Sequence, residues 1–330
     1  MATVVAGMIL IVALVKGGTG AALPILVLAA VELTFSFDNA VVNSRVLGTM
    51  SRFWQTMFLT VGIAIAVFGV RMLLPLLLVS MTSHHSLSSV LDLALHHADV
   101  YAEELKAAYP VIAAFGGVFL LMIGLRFFGE KKDIVWLDAV EAPLSEFDQP
   151  WWIAIIGVVS ALASIYLFLS PGKPNTLLAG FLGAVTFVMI KLLSIKITGG
   201  QAAEGATGKQ TIGHGIIQLI YLELLDASFS FDGVIAAFAV TRDVILITAG
   251  LGIGALFVRS MTIQLLDQAT LVEYRYLEHG AHYAILTLSV LLLLGIRYEI
   301  PELATGLLGL TIIFAAFLDS RRANRHRSSG

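Results

Sequence analysis

Glu32–Val42, "ELTFSFDNAVV", returns late in the chain as Asp226–Ala236, "DASFSFDGVIA", so that Glu32 aligns with Asp226 and Asp38 with Asp232. Each copy lies in a long apolar run. Each is followed by a second apolar run with one arginine deep inside it, Arg71 in "FGVRMLLPLL" and Arg259 in "LFVRSMTIQLL". The repeat therefore covers at least two consecutive helices per copy, and self-similarity on this scale indicates a duplicated architecture.

The composition sets the medium. Of 330 residues, 58% are hydrophobic and only 13% charged, against about 25% charged in a soluble domain, and the mean hydropathy is +0.90. Such a chain is a polytopic membrane protein. Its net charge of −3, with no basic block, argues against nucleic acid as a partner. With no cysteine, disulfides, thiolate zinc sites and thiol nucleophiles are ruled out, and any metal must be held by oxygen or imidazole. The start, "MATVVAGMILIVALVKGG", lacks a basic stretch ahead of its apolar run and reads as a retained helix rather than a cleaved signal peptide.

Spans of about 20 apolar residues cross a bilayer, which predicts an all-α fold of nine to ten transmembrane helices. They fall near 2–16, 22–44, 54–80, 109–128, 151–169, 175–197, 213–241, 243–267, 281–297 and 301–319. The whole of 1–330 reads as a single transmembrane domain, with 22–128 and 213–297 as repeat halves. Segment 81–108 is an outer polar segment, and 129–150 and 198–212 are cytoplasmic loops. Lysine and arginine near span ends set the orientation. With the N-terminus inside, Arg45, Arg52, Arg126, Lys131, Lys132, Lys196, Lys209, Arg275 and the tail arginines Arg321, Arg322, Arg325 and Arg327 are internal. Only Lys16, Lys106, Lys173, Arg242 and Arg297 face outward. The two motif helices stand five spans apart in this count, so they run in opposite directions. Inverted repeats of this kind are common in secondary transporters, whose substrate sites lie near the bilayer midplane between the repeats.

Ionised carboxylates at the bilayer centre cost several kcal/mol unless paired. Here Glu32, Asp38, Asp226 and Asp232 are all intramembrane, with Glu223 a turn before Asp226. Arg71 and Arg259 can act as structural or gating ion-pair partners, but with Lys191 they cannot neutralise five acids. On a regular helix, positions i and i+6 point about 120° apart, so Glu32 shares a face with Asn39 rather than with Asp38, unless the helix is broken around Ser36 and Ser230. Acids, Asn39 and the hydroxyls of Ser36, Ser228 and Ser230 form an all-oxygen set suited to magnesium, calcium or manganese. The expected metal site is Glu32, Asp38, Asn39, Asp226 and Asp232, with Asp38 and Asp232 sharing one ion. Crowded carboxylates also bind protons more readily, which makes proton antiport a natural companion.

The Glu-x5-Asp-Asn pattern of the first motif resembles the TerC family of integral membrane proteins. So do "LLDASFSFDGVIAAFAVTRDVILITAGLGIGALFVRSMTIQLL" (Leu224–Leu266) and "YRYLEHGAHYAILTLSVLLLL" (Tyr274–Leu294). The resemblance covers roughly half the chain. It implies divalent metal efflux, chiefly of manganese, and a link to tellurite resistance and metal homeostasis; the expected location is a bacterial inner membrane, with the C-terminus placed in the cytoplasm by the basic residues. It carries over Glu32, Asp38, Asn39, Asp226 and Asp232. Gly233 stands where the family usually has serine, "EHGAHY" is more polar than usual, and 81–108 is an insertion; together these mark a divergent branch.

Glu278 and His282, at i and i+4, share a helix face beside His279 and form either a metal or proton path with Glu223, Ser36 and Ser230, or a polar helix cap. In 81–108, His84, His85, His96 and His97 lie among Asp92, Asp99, Glu103 and Glu104, as a weak outer metal site or a solvated helix. The expected ligands are a transported cation, manganese before calcium or magnesium, and lipid; no prosthetic group and no enzymatic activity are expected, and an oligomer is compatible. The alternative is a metal sensor or scaffold that binds without moving the ion. An intramembrane aspartyl protease would also need two buried aspartates, but it leaves Glu32 and Asp226 without a role.

Overall fold

The computed structural model describes residues 2–130, 132, 134–145, 151–198, 212–267 and 274–328. Among these the chain is helical without strands: α1 (Ala2–Phe35), α2 (Phe37–Gly48), α3 (Arg52–Ala64), α4 (Leu74–Ser83), α5 (Leu87–His96), α6 (Ala98–Gly129), α7 (Asp138–Ser145), α8 (Trp151–Ser164), α9 (Pro174–Thr198), α10 (Ile212–Val240), α11 (Val244–Asp267), α12 (Leu277–Gly295) and α13 (Glu302–Ser328). Apolar and charged residues are distributed inside out. Val15, Phe68, Phe168 and Leu192 are exposed, whereas Glu32, Arg71, Asp226 and Arg259 are each 5% exposed or less. Lipid tolerates the first group and only a paired interior tolerates the second, so the fold is that of a polytopic membrane protein.

Among the described residues seven helical runs are long and apolar enough to cross a membrane; three of the ten expected spans fall on other elements or within a run already counted. The first is hidden inside α1. Gly18 has φ 63° and ψ −155°, a left-handed conformation that glycine adopts without strain. Ala6 and Ile25 share one apolar cluster with Ile253, although a straight helix would hold them about 28 Å apart. The chain therefore folds back at Gly18 into limbs 2–17 and 19–35. The second is the short apolar helix Ile153–Leu169. The third is α10, 29 residues long, which carries the second motif and its acids.

Between α3 and α4 the pass continues through a π-helical stretch, Ile65–Leu73. Pro75 lies two residues beyond it; it offers no N–H to the carbonyl of Arg71 and its ring crowds that carbonyl. A widened turn relieves the clash and places Arg71 inside it. The polar segment 81–108 is not one unit, since α5 covers its middle and α6 already begins at Ala98.

Direct contacts sort the ends of the bundle. One end joins Thr49 to Gln218, Arg45 to Glu278, Arg52 to Asp267 and Trp136 to Asp319. The other joins Lys106 to Glu299 and Arg242 to Asp99. Arg45 and Arg52 thus share one end of the bundle, and Lys106 and Arg242 the other. The second limb of α1 lies against α11, where Gly250 meets Leu28 and Gly254 meets Glu32; small residues spaced by four allow such close approach in membranes.

Candidate functional site

The two motif helices cross at Asn39 and Asp226. Asn39 Nδ2 donates to Asp226 Oδ1 at 2.8 Å, and ten residues further along α2, Thr49 accepts from Gln218 Nε2 of α10 at 2.8 Å. The partner index falls as the first rises, so α2 and α10 run antiparallel. That is the geometry an inverted repeat requires.

Around this crossing three carboxylates meet two guanidiniums. Arg71 pairs with Glu32 through Nη2 and reaches Asp226 Oδ2 through Nη1 at 3.4 Å; the same Nη1 donates to the Ala66 carbonyl at 3.0 Å. Arg259 Nη2 lies 2.9 and 3.0 Å from the two Glu223 oxygens and 3.9 Å from Asp226 Oδ2. Its Nη1 donates to the Phe58 carbonyl at 2.6 Å, and the guanidinium sits 4.0 Å from the Phe58 ring centroid. Among the described residues Asp226 is thus the one acid that pairs with both arginines. If all are ionised, three acids against two arginines leave one negative charge. Lys191 contributes nothing here, because it lies exposed on α9 at the rim of a separate cavity.

The face relation expected from helical spacing is present: Glu32 and Asn39 both join this network. Asp38 does not. Its Oδ1 accepts the backbone N–H of Asn39 at 2.8 Å, and its Oδ2 points toward Gly309 of α13. It is 7% exposed and has no ion pair among the described residues. The side chain of Asp232 lies outside the described residues. Glu32, Asp38 and Asn39 therefore do not converge on one point, and among the described residues no group of three acidic or histidine side chains is arranged to hold a metal.

Both motif helices could have been broken, but only one is. At Ser36, with φ −100° and ψ 20°, the helix is interrupted, whereas α10 runs unbroken through Ser230. The asymmetry extends to the hydroxyls. Ser36 Oγ donates to Glu32 Oε1 at 3.3 Å, while Ser230 Oγ is buried without a hydrogen-bond partner. Ser228 turns its hydroxyl back to the Leu224 carbonyl at 2.9 Å.

Sequence reading missed three residues. Asn43 donates to Asn39 Oδ1 at 2.8 Å and leaves its own Oδ1 buried and unpartnered, extending the polar seam by a turn. Phe58 supplies both the carbonyl and the ring that hold Arg259. Gly62 lies where a side chain would strike Arg259 Nη1 and Glu223 Oε1. Gly62→Ala is accordingly expected to destabilise the protein by about 1–3 kcal/mol through overpacking. Gly7→Ala, in open space, should leave the thermal unfolding midpoint in detergent unchanged; equal midpoints for the two variants would contradict this packing.

The trio at the start of α12 divides. His282 Nδ1–H donates to the Glu278 carbonyl at 2.9 Å, and its ring stacks on Phe127 with centroids 3.6 Å apart. Glu278 pairs with Arg45. His279 turns the other way, donating from Nε2 to the Ile134 carbonyl at 2.9 Å and lying 3.2 Å from Glu141. Lys132, in the loop after α6, sits 3.3 Å above the Phe127 ring centroid, and burial lowers its pKa to about 8. In segment 81–108, His96 pairs with Asp92 at 2.9 Å, and no histidine cluster forms among the described residues.

A family model described as "Protein of unknown function (DUF475)" matches residues 37–327. No curated protein and no solved structure matches the chain.

Proposed function

The chain belongs to the DUF475 family, and we propose that it carries a hard divalent cation, manganese foremost, across the membrane at the crossing of its two motif helices. The observation that supports this most is the shared buried network, in which Glu32 from the first half and Glu223 and Asp226 from the second outnumber Arg71 and Arg259. A purely structural pair would be expected to balance, since an unpaired buried charge is costly. An excess acid in a membrane interior instead suits a second, transient cation.

The donor set fits such an ion. Carboxylates, the Asn39 amide, the Ser36 and Ser230 hydroxyls and the break at Ser36 provide oxygen ligands and no sulfur, as hard divalent ions prefer. In this reading the guanidiniums act as internal surrogate cations that hold the acids while the substrate is elsewhere. Arrival of the ion displaces them: Arg71 falls back on the Ala66 carbonyl, and Arg259 on the carbonyl and ring of Phe58. Asp38, one helical step of about 100° around α2 from Asn39 and without a cationic partner among the described residues, supplies a further carboxylate when α2 rotates. Exchange between arginine-held and ion-held states is then a two-state switch that each ligand biases, and protons are the natural counter-ion for the carboxylates.

The test is manganese uptake into inside-out proteoliposomes under an imposed proton gradient. Saturable uptake is expected. Binding without uptake would favour a sensor or scaffold, and absence of both would remove the cation reading.

A further inference from the structure

A cavity of about 270 Å³ opens at the end of the bundle that carries Arg45, Arg52 and Arg275, between α2, α6, α9, α10 and α12. Its lining includes three cations, Arg45, Arg126 and Lys191, and two anions, Glu130 and Glu278. Four of these five are already matched: Arg45 pairs with Glu278, and Arg126 Nε lies 2.9 Å from Glu130. Lys191 is left over, with no hydrogen bond or ion pair among the described residues. Three positive charges against two leave a surplus of one. His282, also on the wall, already commits its Nδ1–H to a backbone carbonyl.

That charge balance makes the cavity a poor mouth for a divalent cation and a good seat for a single anion. The Tyr221 hydroxyl, suited to a phosphate oxygen, belongs to the same lining, and Val42, Ile123, Phe187 and Ile190 make much of the remaining wall apolar. The surroundings of Lys191 indicate the source of the anion. Val188, Leu192 and Ile195, its neighbours along α9, are 43%, 60% and 47% exposed, a greasy outward surface that faces acyl chains rather than water. Lysine on such a surface reaches for the headgroup layer with its ammonium while its stem stays in hydrocarbon, and basic pockets between transmembrane helices are suited to lipid phosphates.

We propose that this cavity binds the phosphate headgroup of an anionic phospholipid, drawn sideways from the surrounding bilayer, with Lys191 and Arg126 gripping the phosphate and the acyl chains lying along α9. The bound lipid neutralises the surplus charge and plugs the gap between α2, α9 and α10. The site stands apart from the crossing of the motif helices and does not depend on the transport reading.

The experiment is native mass spectrometry of the full chain released from nanodiscs of mixed phosphatidylglycerol and phosphatidylcholine. Wild type should retain phosphatidylglycerol selectively. Lys191→Gln should retain about fivefold less, Lys191→Arg should retain wild-type amounts, and Lys196→Gln, which removes a lysine outside the cavity, should match wild type. Equal retention of the two lipids, or equal losses in Lys191→Gln and Lys196→Gln, would overturn the proposal. A parallel arm titrates delipidated protein with inorganic phosphate. Thermal stabilisation equal to that given by phosphatidylglycerol would identify a free anion as the ligand and likewise overturn it; stabilisation by the lipid alone supports it.

Discussion

Asp226→Asn should lower the initial rate of manganese uptake by about a hundredfold, the equivalent of roughly 3 kcal/mol of lost charge-assisted interaction, while the protein still inserts and elutes as a folded species. Among the described residues Asp226 is the only acid within 4 Å of both arginines, and it also accepts the hydrogen bond from Asn39 that ties α2 to α10. Asparagine keeps the shape and can still accept from Asn39, so the crossing persists. What changes is the charge count. Two acids, Glu32 and Glu223, then face two arginines, the network neutralises itself, and an arriving cation has no excess negative charge with which to displace a guanidinium. Initial rates in proteoliposomes, beside gel filtration of the same preparation, decide the matter. Wild-type rates in the variant would refute the role given to Asp226.

Arg259→Leu should instead unfold the protein more easily, by about 3–5 kcal/mol, because removing one partner strands a buried charge. Glu223 would lose both of its contacts to Nη2, and the Phe58 carbonyl would lose its donor. If stranding is the cause, neutralising the orphan should help: Arg259→Leu with Glu223→Gln should recover most of the loss. Thermal or denaturant unfolding in detergent measures both variants. A double variant as unstable as the single one would mean that Arg259 acts through packing on Phe58 and not through its charge.

The architecture was readable because its signals are local. The duplicated motif, the single arginine in each following run and the twenty-residue apolar periods all lie along the chain, and the antiparallel crossing of α2 and α10 follows from counting passes. Glu32 and Asn39 still share the network because the interruption at Ser36 is slight: Ser36 N–H donates to the Glu32 carbonyl at 3.0 Å and Ala40 N–H to the Ser36 carbonyl at 3.2 Å. The choice of partners was not readable. Glu223 stands outside the repeat alignment, yet it makes the closer contacts to Arg259, because α10 presents positions 223 and 226 to the same side of α11. Asp38 aligned with the expected site, but a helical step of 100° from Asn39 turns it toward α13. The break at Ser36 without one at Ser230 is equally invisible in matched "FSFD" strings. Gly62 and Phe58 carry no motif at all; only the placement of Arg259 gives them meaning.

The central claim is that the two halves build one cation site. Equilibrium binding of manganese to the purified full chain, wild type beside Glu32→Gln and Asp226→Asn, tests it most directly, since these acids belong to different halves and meet only through Arg71. The account predicts a single saturable site that either substitution abolishes. A site that survives both substitutions with unchanged affinity would contradict it.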